Sequence, residues 1–427
     1  MRRLRLSTFR RGFASTLGLD VISRGLSAVA TVLFIRSLDV EDFALVVLFL
    51  NVGQFAGGAL TGGVRMRYMR TEAERVSRGD PKPTSFALAW AASLALVLGA
   101  TTLFMALLGL LGPDGPGPGW PAFVGLTAVF TAGHASIELA MYHHQANLGF
   151  VRAGLVGISR SAAILAVATA AALGAIDSGT AIIACAALAV LGAAAVACVP
   201  LAWRTLRSHS VATIRGDLGR ESGWLTVYYL LSAGFSYASI FTVAALLDDE
   251  AVASFGAALR YIAIVLGPTP ALLAILRVRT SQQDIVDSAE AQTRMLLSWI
   301  RRAIVPVVGV LGLAIAAGPL LIPIVDDGRY PDSVPIFQLL LVGAMFAYIT
   351  MPGSNLLMSQ RRFRLLAGFY AIALVIQLAA LGLAAELAGV VAVAGATAAI
   401  RASETSALAY LATRVRPASK PPPVPIE

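Results

Sequence analysis

The stretch from Leu38 to Arg67 contains the pattern on which the fold prediction rests. It opens with the acidic turn Leu38-Asp39-Val40-Glu41, continues as an apolar run over 42–63, and ends at Arg65-Met66-Arg67. A run of about 20 mostly apolar residues is long enough to cross a membrane as a helix. Because Lys and Arg collect on the cytoplasmic side, this stretch predicts a span with an acidic outer end and a basic inner end.

The composition extends this pattern to the whole chain. Of 427 residues, 57% are hydrophobic and 13% are charged, and the mean hydropathy is +0.77. Soluble domains are about 25% charged, so the composition excludes a soluble enzyme, a disordered chain and a disulfide scaffold. We expect an all-α polytopic membrane protein with twelve spans. They are 13–36, 42–63, 83–111, 121–142, 153–175, 180–203, 223–247, 252–276, 303–325, 334–358, 365–386 and 389–413.

The basic residues support this topology. With both termini in the cytoplasm, 27 of the 33 lysines and arginines fall in the predicted inner segments, and the outer loops hold only Arg36 and Arg329. Such asymmetry is the positive-inside pattern. The short loops leave no room for an outer catalytic domain, and no phosphate-cradling P-loop sequence occurs. An ATP-driven pump within this chain is therefore not expected.

The acidic turn recurs in the second half. Leu247-Asp248-Asp249-Glu250 and Arg277-Val278-Arg279 repeat the first pattern at offsets of 209 and 212 residues. A parallel repeat of six spans predicts two lobes, residues 1–211 and 212–416, followed by a disordered, Pro-rich cytoplasmic tail at 417–427. The alternative is that short acidic turns recur by chance.

Polar side chains at steps of three and four residues mark the predicted lumen. In spans one, two and seven such steps place polar side chains on one helix face. The candidate substrate-binding residues are Asp20, Arg24, Asn51, Gln54, Tyr229, Ser236 and Arg260. Helix packing is the alternative explanation for each stripe, since small and hydroxyl residues also line helix contacts.

Charged residues within spans are costly and need partners or water. The expected pairs are Asp20 with Arg24, Arg401 with Glu404, and Glu138 with either Arg160 or His134. Arg260 is left without an obvious acid. A planar guanidinium suits phosphate because it donates two parallel hydrogen bonds. Arg24 and Arg260 are therefore candidate ligands, and the alternatives are a structural pair with Asp20 and a snorkelling side chain, respectively.

No metal, cofactor or catalytic chemistry is expected. The few histidines lack a third ligand at a suitable spacing, and no nucleophilic triad or catalytic carboxylate pair is evident. Cys185 and Cys198 are interpreted as core residues. We expect a transporter and not an enzyme.

Four segments resemble the Wzx-type polysaccharide flippases of the multidrug/oligosaccharidyl-lipid/polysaccharide exporter (MOP) superfamily. They are Arg36 to Leu45, Asp248 to Gly256, Asp326 to Tyr330, and Gly389 to Ala398. The resemblance implies two six-helix lobes with a cationic cavity between spans one, two, seven and eight. It implies translocation of an undecaprenyl-diphosphate-linked oligosaccharide across the inner membrane by alternating access. The oligosaccharide would serve the synthesis of a surface polysaccharide, namely the O-antigen of lipopolysaccharide, capsule or exopolysaccharide.

The same resemblance implies partners. They are the lipid-linked oligosaccharide, membrane lipid, and a polysaccharide polymerase or chain-length regulator, but no nucleic acid.

Asp20, Glu138 and Glu404 are candidates to carry protons in exchange for the substrate; the alternative is that each serves only in a structural ion pair. The rival functions are a small-molecule or drug cation antiporter of the same fold, a membrane-embedded polymerase or ligase, and a non-transporting structural protein.

Overall fold

A computed structural model describes residues 6–78, 86–110, 120–207, 220–267, 289–360 and 362–414, and the statements below concern these residues. They form α-helices, with no β-strand among them. The helices are α1 (Leu6–Ser37), α2 (Val40–Arg78), α3 (Phe86–Leu110), α4 (Trp120–Ala146), α5 (Phe150–Ala172), α6 (Gly179–Arg207), α7 (Arg220–Leu246), α8 (Asp249–Val265), α9 (Ala289–Asp326), α10 (Ser333–Thr350), α11 (Pro352–Ser359) and α12 (Phe363–Arg414). Ten of the described helices are long and apolar enough to cross a membrane, so the chain is a multi-pass membrane protein.

The predicted boundary between spans eleven and twelve lies inside α12. Ala388 has φ −150° and ψ 17°, and Gly389 has φ 70°. Glycine adopts positive φ at little cost, and α12 is therefore two helical segments, 363–387 and 390–414. α8 has 17 residues and ends at Val265, with Leu266 as its C-cap and a turn at Gly267, and residues 268–276 of the predicted eighth span lie outside the described residues. Helices α1 to α10 and the two segments of α12 then correspond to the twelve predicted spans.

Three predicted span ends differ from the helix ends. The tenth span is interrupted where Pro352 starts the short helix α11, since proline has no backbone N–H to donate to the preceding turn. α9 begins at Ala289 and not near residue 303. α2 continues to Arg78, well past the predicted end at residue 63. Arg65, which falls in the predicted inner loop 64–82, therefore belongs to a helix and not to a loop.

The repeated acidic turns are helix N-caps. Asp39 precedes α2 and accepts a hydrogen bond from the backbone N–H of Asp42 at 2.8 Å. Asp248 precedes α8 and accepts one from the N–H of Ala251 at 2.9 Å. In both cases the carboxylate pairs with the N–H three residues on, which satisfies a donor that the helix itself leaves free. The motif recurs because each half starts its second helix in the same way.

Helix packing shows two lobes, the N lobe (α1 to α6) and the C lobe (α7 to α12). In the N lobe α1 packs on α5 and α4 on α6, and in the C lobe α7 packs on α12 and α10 on α12. A Cβ on Gly133 would lie 2.9 Å from the backbone N of Leu191, and one on Gly343 would lie 2.9 Å from the Cα of Ala398. These matching close contacts confirm the two-lobe layout. The predicted lobe boundary and the 417–427 tail lie outside the described residues.

The lobes meet through α1, α2, α7 and α8. α2 packs against α7 and α8, and α1 packs against α8. On α2, the ring of Phe55 lies 5.8 Å from that of Tyr237 and 5.2 Å from that of Phe241. Further along α2, a Cβ on Gly62 would lie 2.8 Å from the Cγ of Tyr229. These four helices surround the centre of the molecule, where most of the in-span charges lie.

Candidate functional site

Arg65 of α2 points into the N lobe. Arg65 is 5% exposed, and its guanidinium forms an ion pair with Glu138 on α4. The sequence contained a pattern that could have placed Arg65 on the same helix face as the candidate site residues of α2. Gln54, Gly58 and Thr61 lie on one helix face at steps of four and three, and Arg65 continues that face by one more turn. The apolar run ends before Arg65, but the helix does not.

Of the two predicted neighbours of Glu138, the structure places His134 beside it, and the arginine that pairs with it is Arg65 and not Arg160. The Glu138 carboxylate meets Arg65 and lies 3.4 Å from Nε2 of His134. Nη1 of Arg160 lies 3.0 Å from Nδ1 of His134. Because a guanidinium only donates hydrogen bonds, Nδ1 accepts here and the imidazole proton sits on Nε2, facing Glu138. His134 thus connects the carboxylate to a second arginine.

Arg160 also faces the opposite lobe. It interacts electrostatically with Tyr237 on α7 and with Asp20 on α1. Arg260 on α8 interacts with the same Tyr237 and is repelled by Arg160. Nη2 of Arg260 is buried and has no hydrogen-bond partner among the described residues. Arg160 of the N lobe and Arg260 of the C lobe therefore repel one another, and Asp20 is an acid that attracts Arg160.

Arg24 forms the predicted pair with Asp20 and also contacts the other lobe. Its Nε lies 3.9 Å from Oδ2 of Asp20, and the two side chains are 29% and 26% exposed. Its Nη1 donates to the carbonyl of Ala263, in the last turn of α8, at 3.1 Å. The last carbonyls of a helix lack intrahelical partners and carry partial negative charge, so an arginine is stabilising there. Arg24 thus joins α1 to α8.

We call these groups the central cluster: Asp20, Arg24, Arg65, Glu138, Arg160 and Arg260. It holds four arginines against two acids. Its partial exposure at Asp20, Arg24 and Glu138 gives solvent or a ligand access to the charges. The inclusion of Arg65 makes the site more cationic than the sequence predicted.

The other candidate residues occupy varied positions. Asn51 is 7% exposed, and its amide donates to the carbonyl of Val47 on its own helix at 2.8 Å. Gln54 is half-buried on α2, and Tyr229 is half-buried against Gly62. Ser236 is exposed on α7, and its hydroxyl donates to the carbonyl of residue 232. Of these four, Gln54, Tyr229 and Ser236 have side chains open enough to meet a ligand.

Arg401 and Glu404 form the predicted pair at 3.1 Å. Glu404 also accepts a hydrogen bond from the hydroxyl of Tyr370 at 2.6 Å, and its side chain is 4% exposed. The Arg401 guanidinium lies 5.0 Å from the centre of the Phe235 ring. We call Phe235, Tyr370, Arg401 and Glu404 the C-lobe cluster. Unlike the central cluster, it has equal numbers of arginines and acids.

Metal-binding groups are not apparent. Within the described ranges, His, Cys, Asp and Glu do not gather in threes. Cys185 and Cys198 are both free thiols. The site is therefore built from arginines, carboxylates, tyrosines and amides, which bind ligands through charge and hydrogen bonds.

Helix order and the two lobes define a two-lobed, all-helical membrane protein, and its likeness to solved structures shows that the fold is that of MATE transporters. The chain is similar to the inward-facing conformation of a multidrug resistance MATE family transporter of the MOP superfamily. That match has a TM-score of 0.69 and 17% identity, and covers 94% of this chain and 97% of the other. It is also similar to the MATE multidrug transporter DinF-BH, at TM-score 0.67 and 14% identity, over 97% of both chains.

A third similar structure is a MOP superfamily transporter from Pyrococcus furiosus, for which reverse polarity of the binding pocket suggests a different function. That match has a TM-score of 0.64 and 16% identity, over 94% of both chains. The sequence matches no protein-family model and no curated protein. At these identities the likeness establishes the fold, and the charge of the site has to guide the choice of substrate.

Proposed function

We propose that this chain is a flippase that moves an undecaprenyl-diphosphate-linked oligosaccharide across the cytoplasmic membrane for surface polysaccharide synthesis. The observation that carries the proposal is the surplus of arginines in the central cluster. The cluster holds four arginines against two acids, and Arg24 and Arg160 interact with groups of the opposite lobe. A diphosphate supplies the missing negative charge and several acceptor oxygens.

Arg260 is the best-placed ligand within that cluster. Its buried Nη2 has no partner among the described residues, and a buried unpaired donor costs about 1–3 kcal/mol. A phosphate oxygen would satisfy it. The same anion would also relieve the repulsion between Arg260 and Arg160. Binding energy is thus available from Arg260 and from the repulsion between Arg260 of the C lobe and Arg160 of the N lobe.

The proposed cycle uses the two lobes as rigid halves. The diphosphate enters the centre from the cytoplasmic side, where Arg160 and Arg260 neutralise it, while the polyprenyl tail stays in lipid between the lobes. Rocking of the lobes then exposes the sugar to the outer side. A polymerase or chain-length regulator would receive the product. Asp20 and Glu138, which are partly exposed, are candidate proton carriers.

A small-molecule cation antiporter is the second candidate. It is favoured by the similarity to multidrug transporters and by the accessible carboxylates Asp20 and Glu138. A cationic drug would have to replace the arginines at these acids. That exchange opposes the charge of the site, since each acid already contacts an arginine. The charge therefore favours an anionic substrate.

The test is the sidedness of the lipid-linked oligosaccharide pool in cells depleted of the protein and complemented with variants. We expect wild type to clear a pool that accumulates on the cytoplasmic face. Arg260→Gln should lower the clearance rate by about 10–100-fold, the equivalent of one or two charge-assisted hydrogen bonds. Arg294→Gln is the matched control, because Arg294 is 71% exposed and its ion-pair partner among the described residues is the exposed Glu290 of the same helix.

Three outcomes separate the proposals. Equal clearance by Arg260→Gln and wild type, at equal membrane levels, would remove Arg260 from the site but keep the function. An unchanged pool after depletion, in cells without a second flippase, would contradict the flippase proposal. Efflux of a cationic dye that depends on Asp20 would then support the antiporter.

A further inference from the structure

The outer ends of the two lobes are joined by a reciprocal pair of arginines. Arg36, in the last turn of α1, donates from Nη2 to the carbonyl of Ile324 at 3.0 Å and from Nε to that of Val325 at 3.1 Å. Arg329, just after α9, donates from Nη1 to the carbonyls of Ile35 at 2.7 Å and Leu38 at 2.9 Å. Each arginine therefore caps the C-terminal end of a helix in the opposite lobe.

Helix chemistry explains why these contacts hold. The last carbonyls of α1 and α9 have no partner within their own helices, and the helix dipole places partial negative charge there. A guanidinium in contact with them satisfies orphan acceptors and meets that charge. Arg36 also lies 3.5 Å from the carboxylate of Asp327. Two helix ends that would otherwise need separate caps are thus tied to each other across the lobe boundary.

The turn after α9 holds Arg329 in place. The carboxylate of Asp326 is 1% exposed and accepts hydrogen bonds from the N–H of Gly328 at 3.0 Å, the hydroxyl of Ser333 at 3.3 Å and that of Tyr261 at 3.4 Å. Gly328 has φ +71°, a conformation that glycine adopts without strain. The turn is therefore anchored to its own lobe before Arg329 reaches across.

An aromatic contact lies beside the arginines. Tyr330, which is 1% exposed, stacks on Phe43 of α2 with ring centres 5.5 Å apart. This stack crosses the same boundary one residue after Arg329. Arginine caps and the ring stack together close the outer end of the molecule over α1, α2 and α9.

We propose that Arg36 and Arg329 form an outer latch that holds the lobes together on the outer side and must open when the lobes separate there. This role explains why the two basic residues in the predicted outer loops depart from the positive-inside pattern. Four of the latch acceptors are backbone carbonyls, and the Asp327 carboxylate adds a longer contact to Arg36 at 3.5 Å. The inference concerns how the lobes move and is independent of the substrate.

The test measures the distance between the outer ends of the lobes. Spin labels go on Leu173→Cys, just after α5, and on Leu387→Cys, the last residue of the first segment of α12; these positions are 79% and 75% exposed. The background carries Cys185→Ala and Cys198→Ala and must retain wild-type behaviour. Double electron–electron resonance in lipid nanodiscs without substrate then reports the closed and open populations.

We expect the double variant Arg36→Gln/Arg329→Gln to raise the open fraction at least about tenfold, the effect of losing one charge-assisted hydrogen bond. Lysine at both positions should give an intermediate increase in the open fraction, because lysine keeps the charge but lacks the planar set of N–H donors of a guanidinium. Arg207→Gln is the control, since Arg207 stacks on Trp203 within its own helix. The two single variants replace the double variant if it fails to accumulate.

An unchanged distance distribution in folded variants would overturn the latch. A merely structural role for these arginines would lower the unfolding midpoint and leave the distribution unchanged, which counts against the proposal in the same way. Because no substrate is added, the outcome of this experiment is independent of the outcome of the flippase test.

Discussion

In the C-lobe cluster each charge has a counter-charge, whereas in the central cluster arginines outnumber acids by two. Glu404 accepts from Arg401 and Tyr370 and is almost completely buried. In the central cluster, Arg260 keeps a buried Nη2 with no hydrogen-bond partner among the described residues. The two regions use the same kinds of side chain in the same membrane environment. Completeness of pairing is what separates a structural ion pair from a site that can still accept a ligand.

The largest effect is expected when the paired cluster is opened. Glu404→Ala leaves the Arg401 guanidinium and the Tyr370 hydroxyl without their shared acceptor. Loss of one partner of a buried ion pair costs about 3–5 kcal/mol. We expect a decrease of that size in the free energy of unfolding, measured by denaturant titration in detergent–lipid micelles. Glu386→Ala, an exposed position in the same helix, is the control and should have little effect.

A second prediction compares the two arginines directly. Arg401→Met should destabilise the protein, because Glu404 loses a charged partner. Arg260→Met should raise the free energy of unfolding by about 1–3 kcal/mol, because it removes a buried unsatisfied donor while keeping an apolar stem. Opposite signs in the same unfolding assay, with lower flipping activity for Arg260→Met, would support the comparison. A loss of stability from both variants would mean that Arg260 is also paired structurally.

The sequence could predict charge pairs within one helix but not those between helices. Asp20 with Arg24 and Arg401 with Glu404 lie one turn apart, so helical geometry alone brings them together. The partner of Glu138 could not be chosen in this way. It depends on how α2 and α4 are rotated and shifted against each other, and 73 residues separate Arg65 from Glu138 in the chain.

Span positions were predictable because hydropathy and arginine placement report directly on the membrane. The ends were less so, since an apolar run marks the hydrocarbon core and not the end of the helix. α2 extends several turns beyond its apolar run, and this is why Arg65 was missed. The latch was also beyond the sequence, since the acceptors of Arg36 and Arg329 are backbone carbonyls that carry no sequence signal.

A third prediction tests whether the lobes are equivalent in packing where they differ in charge. Gly133→Ala and Gly343→Ala each place a Cβ 2.9 Å from the backbone of a facing helix. Backbone cannot rotate away as a side chain can, so we expect each variant to cost about 1–3 kcal/mol, and the two to cost similar amounts. Gly125→Ala on α4 has open space around it and serves as the control.

If these two glycine variants lose different amounts of stability, the repeat between the lobes extends to the order of the helices but not to their individual contacts. Equal costs would extend it to individual contacts between α4 and α6 and between α10 and the second segment of α12. The two lobes would then share the same helix packing and differ only in the charged side chains that it carries.

The smallest effect concerns how the first helix of each lobe is held. Ser23 on α1 and Ser161 on α5 share a hydrogen bond of 2.8 Å, while the matching helices of the C lobe use the Phe235 and Tyr370 rings, 5.5 Å apart. Hydrogen bonds between membrane helices contribute about 0.6 kcal/mol on average. A double-mutant cycle of Ser23→Ala and Ser161→Ala should give a coupling energy of that size in the unfolding assay.

The control cycle pairs Ser23→Ala with Ser159→Ala, because the Ser159 hydroxyl donates within its own helix, to Val156. That cycle should be additive. A coupling above about 2 kcal/mol for Ser23 and Ser161 would exceed what a single interhelical hydrogen bond supplies. The bond would then belong to a larger network that includes Ser27, which also donates to Ser161 at 3.0 Å. In that case α1, which carries Asp20 and Arg24, is fixed to its lobe more firmly than a single pair can explain.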